Sequence, residues 1–93
     1  MGADAHELAA KFIGRAAAFE KALQVIIGSS NATADLLKTN LTMRRQHLGN
    51  DLANAGLPQD RMTELLPIAT RAAVEAENSI CKGLQGGKYF PLP

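Results

Sequence analysis

Apolar side chains near the start of the chain recur with a spacing typical of helix-on-helix packing. Steps of three and four residues alternate, so on an α-helix these side chains form one narrow stripe. We call it the heptad stripe, and its members are Ala9, Phe12, Ala16, Phe19, Leu23 and Ile26. Large residues at one position and mostly alanine at the other suit a second helix that approaches closely. The stripe predicts helix association, either as the core face of a bundle within the chain or as a seam with another chain.

Capping residues set the limits of a first helix around this stripe. Asp4 and Glu7 form a capping box, in which the Asp4 carboxylate accepts a free N–H of the first turn and Glu7 reaches back. The helix is predicted to run from about Ala5 to Ile27. Gly28 and the Ser and Asn residues after it favour a stop, because glycine tolerates positive φ and the others prefer caps. A single helix that continues through Gly28 is the alternative.

A second helix places leucines on one face and ends at a well-marked boundary. Its apolar face consists of Ala34, Leu37, Leu41, Leu48 and Leu52. Gly56 suits the left-handed position that follows a helix, and Leu57 can fold back onto Leu52 as in a Schellman motif. Pro58 then prevents the helix from continuing.

A further apolar stripe predicts a third helix, and its members are Met62, Leu65, Ala69, Ala72, Ala76 and Ile80. Pro67 interrupts the stripe and leaves two interpretations open. Either Thr63 caps a helix with Pro67 in its first turn, or a short helical turn near residues 59–65 precedes a kink. Gly83, with Lys82 in the final turn, is predicted to end the helix.

Composition favours helices over sheets and one domain over two. Alanine supplies about one residue in six of a 93-residue chain, and strand-like alternation is absent. The predicted fold is all-α: a small antiparallel bundle of two to three helices in residues 1–84, followed by a flexible Gly/Pro/aromatic tail over residues 85–93. A chain this short buries a thin core, so we expect homodimerisation to complete the bundle.

Charge and cysteine content exclude several classes of protein. Ten Lys and Arg residues stand against nine Asp and Glu residues, a balance that does not suit a general polyanion binder. Charged residues recur through the first predicted helix, which excludes a membrane span, and the N-terminus lacks the pattern of a secretory signal. Cys81 is the only cysteine, which excludes a disulfide framework and a cysteine-rich zinc site. These observations predict a cytoplasmic protein without membrane contact.

The candidate chemical groups lack the companions that catalysis or metal binding requires. His47 and Asp51 are one helical turn apart and could chelate a metal, but no third ligand is indicated. Phosphotransfer through His47 is a further alternative, although the Lys that follows the histidine in phosphotransfer bundles is missing here. Cys81 follows Ile80 in an apolar helix, where an inert thiol is expected. We therefore predict no enzyme activity, catalytic residue, cofactor, metal or small-molecule substrate.

Arg44 interrupts the apolar face of the second helix between Leu41 and Leu48. A charge in that seam would need a carboxylate partner, for which Glu75 and Glu77 on the third helix are candidates. The alternative is that Arg44 lies at the edge of the stripe in water. Arg44 also begins the only basic cluster, Arg44-Arg45-Gln46-His47. The rival functional hypothesis is a nucleic-acid-associated regulatory protein that uses Arg44, Arg45, Arg61 and Arg71.

The last residues of the chain offer a second candidate for binding. Tyr89, Phe90 and Leu92 lie on a backbone stiffened by two prolines, and such a segment loses less entropy on binding than a free chain. The alternative is that Tyr89 and Phe90 fold back to fill a gap in the chain's own bundle or in that of a dimer mate.

The function predicted is a small non-catalytic protein–protein interaction protein of the adaptor, anti-activator or secretion-chaperone type found in bacteria. Its partner is another protein, it forms a homodimer, and nucleic acid is not expected to bind. The predicted partner-binding residues are Arg44, Arg45, His47, Tyr89, Phe90 and Leu92. The residues predicted to pack helices or to form the dimer seam are Phe12, Phe19, Leu23, Ile26, Leu41, Leu48 and Leu52.

Overall fold

The computed structural model describes residues 4–28 and 33–85, which form a bundle of four α-helices without a sheet. The helices are α1 (Ala5–Gly28), α2 (Ala34–Arg45), α3 (Leu48–Asn54) and α4 (Met62–Gln85). A 3₁₀ turn, Gln59–Arg61, precedes α4. Gln85, the first residue of the predicted tail 85–93, is the last residue of α4, and the rest of that tail lies outside the described residues.

The two ends of α1 lie close to their predicted positions. The backbone N–H of Glu7 donates to the Asp4 carboxylate at 2.9 Å, which confirms the Asp4 half of the capping box. The helix ends at Gly28, and α2 begins after Thr33, whose hydroxyl accepts from the backbone N–H of Leu36 at 3.1 Å. Because Thr33 has an extended backbone, α1 and α2 are separate helices and the continuous alternative is excluded.

The second predicted helix is divided into α2 and α3, so the bundle has more helices than the two to three predicted. The N–H of Gln46 donates to the carbonyl of Met43 at 3.2 Å, and that of His47 donates to the carbonyl of Arg44 at 3.0 Å. These three-residue steps tighten the last turn of α2 and end it. The leucine spacing continues across the break, because Leu41 and Leu48 are both buried; the periodicity therefore gave no sign of it.

The end of α3 confirms the predicted Schellman motif. Gly56 has a φ of 84°, in the left-handed region. Its N–H donates to the carbonyl of Ala53 at 3.0 Å, and the N–H of Leu57 donates to the carbonyl of Leu52 at 3.2 Å. Leu57 also packs against the buried cluster that contains Leu52. The local sequence therefore determined this boundary.

The start of α4 agrees with the second interpretation of Pro67 only in its short leading turn, because α4 then runs as one helix from Met62 to Gln85. A short 3₁₀ turn comes first, and Pro67 then lies inside a helix that has already begun at Met62. Pro67 has no N–H to donate to the carbonyl of Thr63, and both residues are exposed, so water can take the place of that bond. The predicted stop at Gly83 was wrong, since α4 continues to Gln85; glycine within a helix costs only about 1 kcal/mol.

The chain runs up through α1, down through α2 and α3, and up again through α4. Successive long segments are antiparallel as predicted, which makes α1 and α4 parallel to each other. The core has two parts. Next to the 3₁₀ turn it consists of Ala10, Ala17, Leu48, Leu52, Leu65, Ala69 and Ala73. Towards the other end it consists of Ala18, Ala22, Leu37, Leu41 and Ala76.

The contact between α1 and α4 is made by small residues. We call the buried side of α1 its inner face, formed by Ala10, Gly14, Ala17, Ala18 and Ala22. At Gly14 the two backbones approach so closely that a Cβ there would overlap the carbonyl oxygen of Ala69. Because no large side chain separates these helices, their close approach depends on alanine and glycine at each turn.

Candidate protein-interaction surface

The side of α1 opposite its inner face carries large apolar side chains in contact with solvent. We call this the outer face, formed by Leu8, Phe12, Phe19, Leu23 and Ile27. These side chains are exposed by 55%, 75%, 43%, 58% and 82%, respectively. Contiguous apolar surface of this kind on a small domain marks an interaction site more often than isolated exposed leucines do.

The heptad stripe therefore does not form the intramolecular core. Phe12, Ala16, Phe19 and Leu23 are exposed, while Ala9 and Ile26 are half-buried. The bundle packs instead on the inner face, about half a turn away, because small residues there let the α4 backbone come close. Of the two interpretations of the stripe, the core face within the chain is wrong, and the seam with another chain stays a prediction.

The remaining predicted packing residues lie in the core. Leu41, Leu48 and Leu52 on α2 and α3 have almost no exposed surface. They pack into the groove that α1 and α4 form together, against the alanines of both helices.

A charged rim borders the outer face on the side of α4. Arg15, Phe19, Glu75 and Ser79 line a groove of about 170 Å³ between the two helices. A second groove of about 360 Å³ adjoins it, lined by Lys11, Arg15, Ile68, Arg71, Ala72 and Glu75. The rim on this side thus combines three cationic side chains with one carboxylate.

Arg44 is half-buried and bonded to a carboxylate, although not to either predicted partner. Its guanidinium donates two hydrogen bonds to Asp51, at 2.5 Å from Nη1 to Oδ2 and 3.1 Å from Nη2 to Oδ1. The bonds to Asp51 raise the pKa of Arg44, and the negative charge of nearby Glu20 adds to this effect. The pair joins α2 to α3 across the break between them, so it holds the bend in place.

Arg45, rather than Arg44, binds the carboxylate predicted on the last helix. Its Nε and Nη2 donate to the two oxygens of Glu77 at 2.9 and 3.0 Å. Glu77 is only 7% exposed and is the buried charged residue of the described core. The prediction that Arg44 would pair with Glu75 or Glu77 was wrong, because the turn at Gln46 and His47 brings Asp51 to Arg44, and Arg45 takes Glu77 instead.

The other predicted partner-binding residues are less informative. His47 is exposed in the turn before α3. Tyr89, Phe90 and Leu92 lie outside the described residues, so the prediction that they bind a partner and the alternative that they fold back both stay predictions.

Arg61 forms an ionic cluster that the sequence did not suggest. It donates to Asp4 at 3.0 Å and to Glu64, while its Nη1 lies 3.2 Å from Nδ1 of His6. Its Nη2 is also 3.7 Å from a carboxylate oxygen of Glu7. The hydrogen bond from Arg61 lowers the pKa of Asp4. The cluster connects the start of α1 to the start of α4, and only the parallel arrangement of these helices brings it together.

Reactive chemistry has little support in the described part of the chain. Burial raises the pKa of the Cys81 thiol, an effect that the positive charge of Lys38 opposes only in part, and so favours the unreactive protonated form. Among residues 4–28 and 33–85, no three His, Cys, Asp or Glu side chains lie together as metal ligands. None of the helices described has the length and apolar character to cross a bilayer.

Comparisons with known proteins add no identity to this geometry. No protein-family model matches the chain, and no match was found among curated proteins or solved structures.

Proposed function

We propose that this chain is a non-catalytic protein–protein interaction protein that binds a helical surface through the outer face of α1. The observation that carries the proposal is the exposure of Phe12, Leu23 and Ile27 on one side of a helix whose opposite side is already packed. A helix that is apolar on both sides fits between two neighbours, and the chain's own helices supply a neighbour on one side.

The hydrophobic effect gives this surface a reason to be covered. Complete burial of one large apolar side chain contributes about 1.5–3 kcal/mol. Five such side chains on the outer face leave several kcal/mol of this free energy unused within the chain. A partner helix with apolar residues at the same spacing would gain it, and we propose that the chain also dimerises, as the heptad stripe predicts.

This proposal moves the binding site away from the arginines that the sequence suggested. Arg44 and Arg45 are engaged by Asp51 and Glu77, so they support the shape of the bundle rather than a partner. Tyr89, Phe90 and Leu92 remain candidates for a further anchor. An adaptor, an anti-activator or a secretion chaperone would each use such a surface, and we retain these three as the class of function.

The rival hypothesis of nucleic-acid binding is less well supported. Three of its four arginines, Arg44, Arg45 and Arg61, are paired with carboxylates. Neutralised cations release few counterions from a nucleic-acid backbone, so they add little affinity. Retention on DNA that falls steeply with salt would favour this alternative.

Site-specific photo-crosslinking in cells tests the proposal. A photoreactive phenylalanine analogue replaces Phe12 in one variant and Asn50, an exposed residue of α3, in the matched control. We expect adducts with protein at position 12 that are absent at position 50 and that disappear when Leu23→Ser is added. Equal yields at both positions, or no adduct at position 12, would contradict a binding role for the outer face.

A further inference from the structure

We propose that the outer face of α1 binds the α1 helix of a second copy of the chain, with the two helices antiparallel. This inference rests on the proposed function, because it names the occupant of the same surface. It is carried by the order of large and small residues, by the area available and by the charges along the rim.

The residue sizes fit an antiparallel pair of identical helices. In the register that uses the whole stripe, Phe12 faces Leu23 of the second copy, Ala16 faces Phe19, and Ala9 faces Ile26. Each alanine therefore meets a large side chain, and the helices keep an even separation. A parallel pair would place alanine on alanine and phenylalanine on phenylalanine, which alternates gaps with crowded layers.

The area is sufficient for a dimer of modest affinity. With roughly 200 Å² for one complete large side chain, the exposed fractions on the outer face amount to about 600 Å² of apolar surface per protomer. Two copies would bury about 1,200 Å², the lower end of the range for specific interfaces. A dimer of this size can dissociate, so the same surface stays accessible to the helix of another protein.

The charges on the rim agree with the antiparallel direction. Gly14 lies beside Ala69, and α1 and α4 are parallel, so Glu75 is level with residues 19 and 20 of α1. In an antiparallel pair with twofold symmetry, the α4 sides of the two copies meet, and Arg15 of each comes level with Glu75 of the other. Two opposite-charge pairs result. They set the direction of the helices rather than the affinity, since exposed pairs contribute little.

Disulfide trapping tests the direction. In a Cys81→Ser background, one protein carries Ala9→Cys and another carries Ile26→Cys. We expect the mixture to form a mixed disulfide dimer under mild oxidation, because residues 9 and 26 face each other. Ala9→Cys alone should not link to itself, since the two sites would be about 25 Å apart at 1.5 Å per residue. The control is Ala53→Cys, at an exposed position of α3, mixed with Ile26→Cys; it measures how much disulfide forms by random collision. Self-linkage of Ala9→Cys in preference to the mixed product would overturn the antiparallel arrangement.

Charge reversal gives a second test that needs no cysteine. Although each exposed pair contributes little, charge reversal replaces two attractions by two repulsions, so we expect Arg15→Glu to weaken dimerisation about tenfold. We expect Arg15→Glu with Glu75→Arg to restore it. Arg15→Glu with Glu20→Arg should not restore it, because that pair would meet in a parallel dimer. If dimerisation were restored by Glu20→Arg and not by Glu75→Arg, the antiparallel arrangement would be overturned.

Sedimentation equilibrium separates failure of this inference from failure of the proposed function. A concentration-dependent dimer that Phe12→Ser and Leu23→Ser convert to a folded monomer supports the second copy as occupant. A chain that is monomeric at every concentration overturns it. If photo-crosslinks at position 12 to a different protein persist in that case, the outer face keeps its binding function; if they are also absent, both proposals fail.

Discussion

The inner and outer faces of α1 are both apolar, but they are built from side chains of very different size. The inner face uses Ala10, Gly14, Ala17, Ala18 and Ala22, and it is buried. The outer face carries two phenylalanines, two leucines and an isoleucine, and it meets solvent. The comparison teaches that the fit between backbones decides which side of this helix packs inside. The amount of hydrophobic surface per residue alone would have favoured the outer face as the buried side.

A stripe of small residues on α4 explains why the inner face of α1 is the one that packs inside. Ala69, Ala73 and Ala76 present small residues at the spacing of the inner face. Two such stripes let the helices approach until Gly14 contacts the backbone of α4. Close backbone approach brings many atoms into van der Waals range, which offsets the smaller area buried by each alanine. Large side chains would hold the helices apart and leave the leucines of α2 and α3 without a continuous surface.

The largest loss in the free energy of unfolding is expected when one methyl group is added to the inner face. Gly14→Ala forces a Cβ onto the carbonyl oxygen of Ala69, a backbone atom held by its own helix. We expect a loss of about 3 kcal/mol in the free energy of unfolding, measured by urea denaturation. Gly49→Ala is the matched control, because its Cβ would meet open space; it should raise stability by up to about 1 kcal/mol. Equal effects of the two substitutions would refute the close contact between α1 and α4.

The two neighbouring arginines should show the same contrast between the interior and the edge. Arg45→Ala leaves the carboxylate of Glu77 buried without its partner, so we expect a loss of about 2 kcal/mol in the free energy of unfolding. Arg44→Ala breaks a pair in which both side chains are half-buried, so the Asp51 carboxylate left behind can still reach water and about 1 kcal/mol should be lost.

A double-mutant cycle of Arg45→Ala with Glu77→Gln isolates the buried pair from other effects of each substitution. A coupling free energy near zero would show that Glu77 is accessible to water and that the seam between α2 and α4 is looser than its geometry indicates.

Alanine substitutions on the outer face should lower the free energy of unfolding less, and in proportion to how far each side chain is buried. Phe19 is about half-exposed, so Phe19→Ala should lower the free energy of unfolding of the monomer by about 1–2 kcal/mol, below the 3–5 kcal/mol of a fully buried phenylalanine. Phe12→Ala should change it by no more than about 0.5 kcal/mol. Urea denaturation at concentrations where the chain is monomeric measures both. If Phe12→Ala were as damaging as Leu65→Ala in the core, the outer face would belong to the fold rather than to a binding surface.

The same contrast explains what the sequence could predict. The capping residue Asp4 and the Schellman end at Gly56 and Leu57 depend on a few adjacent residues, and both were predicted correctly. The buried side of α1 depends on which stripe of α4 it meets, and large and small residues follow the same helical period, so periodicity alone chose the wrong side. A search for matching small residues on two predicted helices would have found the inner face.

The candidate site was predictable only in part for a related reason. The spacing of the heptad stripe is a local property, so the sequence could predict a helix-packing stripe, but its use as a seam with another chain stays a prediction. The partners of Arg44 and Arg45 depend on the turn at Gln46 and His47, which separates α2 from α3. The Arg61 cluster joins residues more than fifty positions apart, so nothing local could indicate it.

The smallest change in stability is expected where the starts of α1 and α4 meet, and it depends on pH. Arg61 holds the pKa of Asp4 below its ordinary value of 3.8, so the folded state favours the carboxylate more than the unfolded state does. The contribution of Asp4 to stability is therefore complete above the unfolded pKa and disappears as the pH falls through the lower folded pKa.

Asp4→Asn keeps a helix-capping side chain but removes the charge. Wild type should have a slightly higher urea midpoint than Asp4→Asn at neutral pH, with no difference near pH 2. The difference should shrink in high salt, because the pair is exposed, and it should be smaller in an Arg61→Gln background, where only the backbone N–H groups of the first turn still lower the pKa of Asp4. A difference that persists at low pH would show that Asp4 acts through the geometry of its cap rather than through its charge.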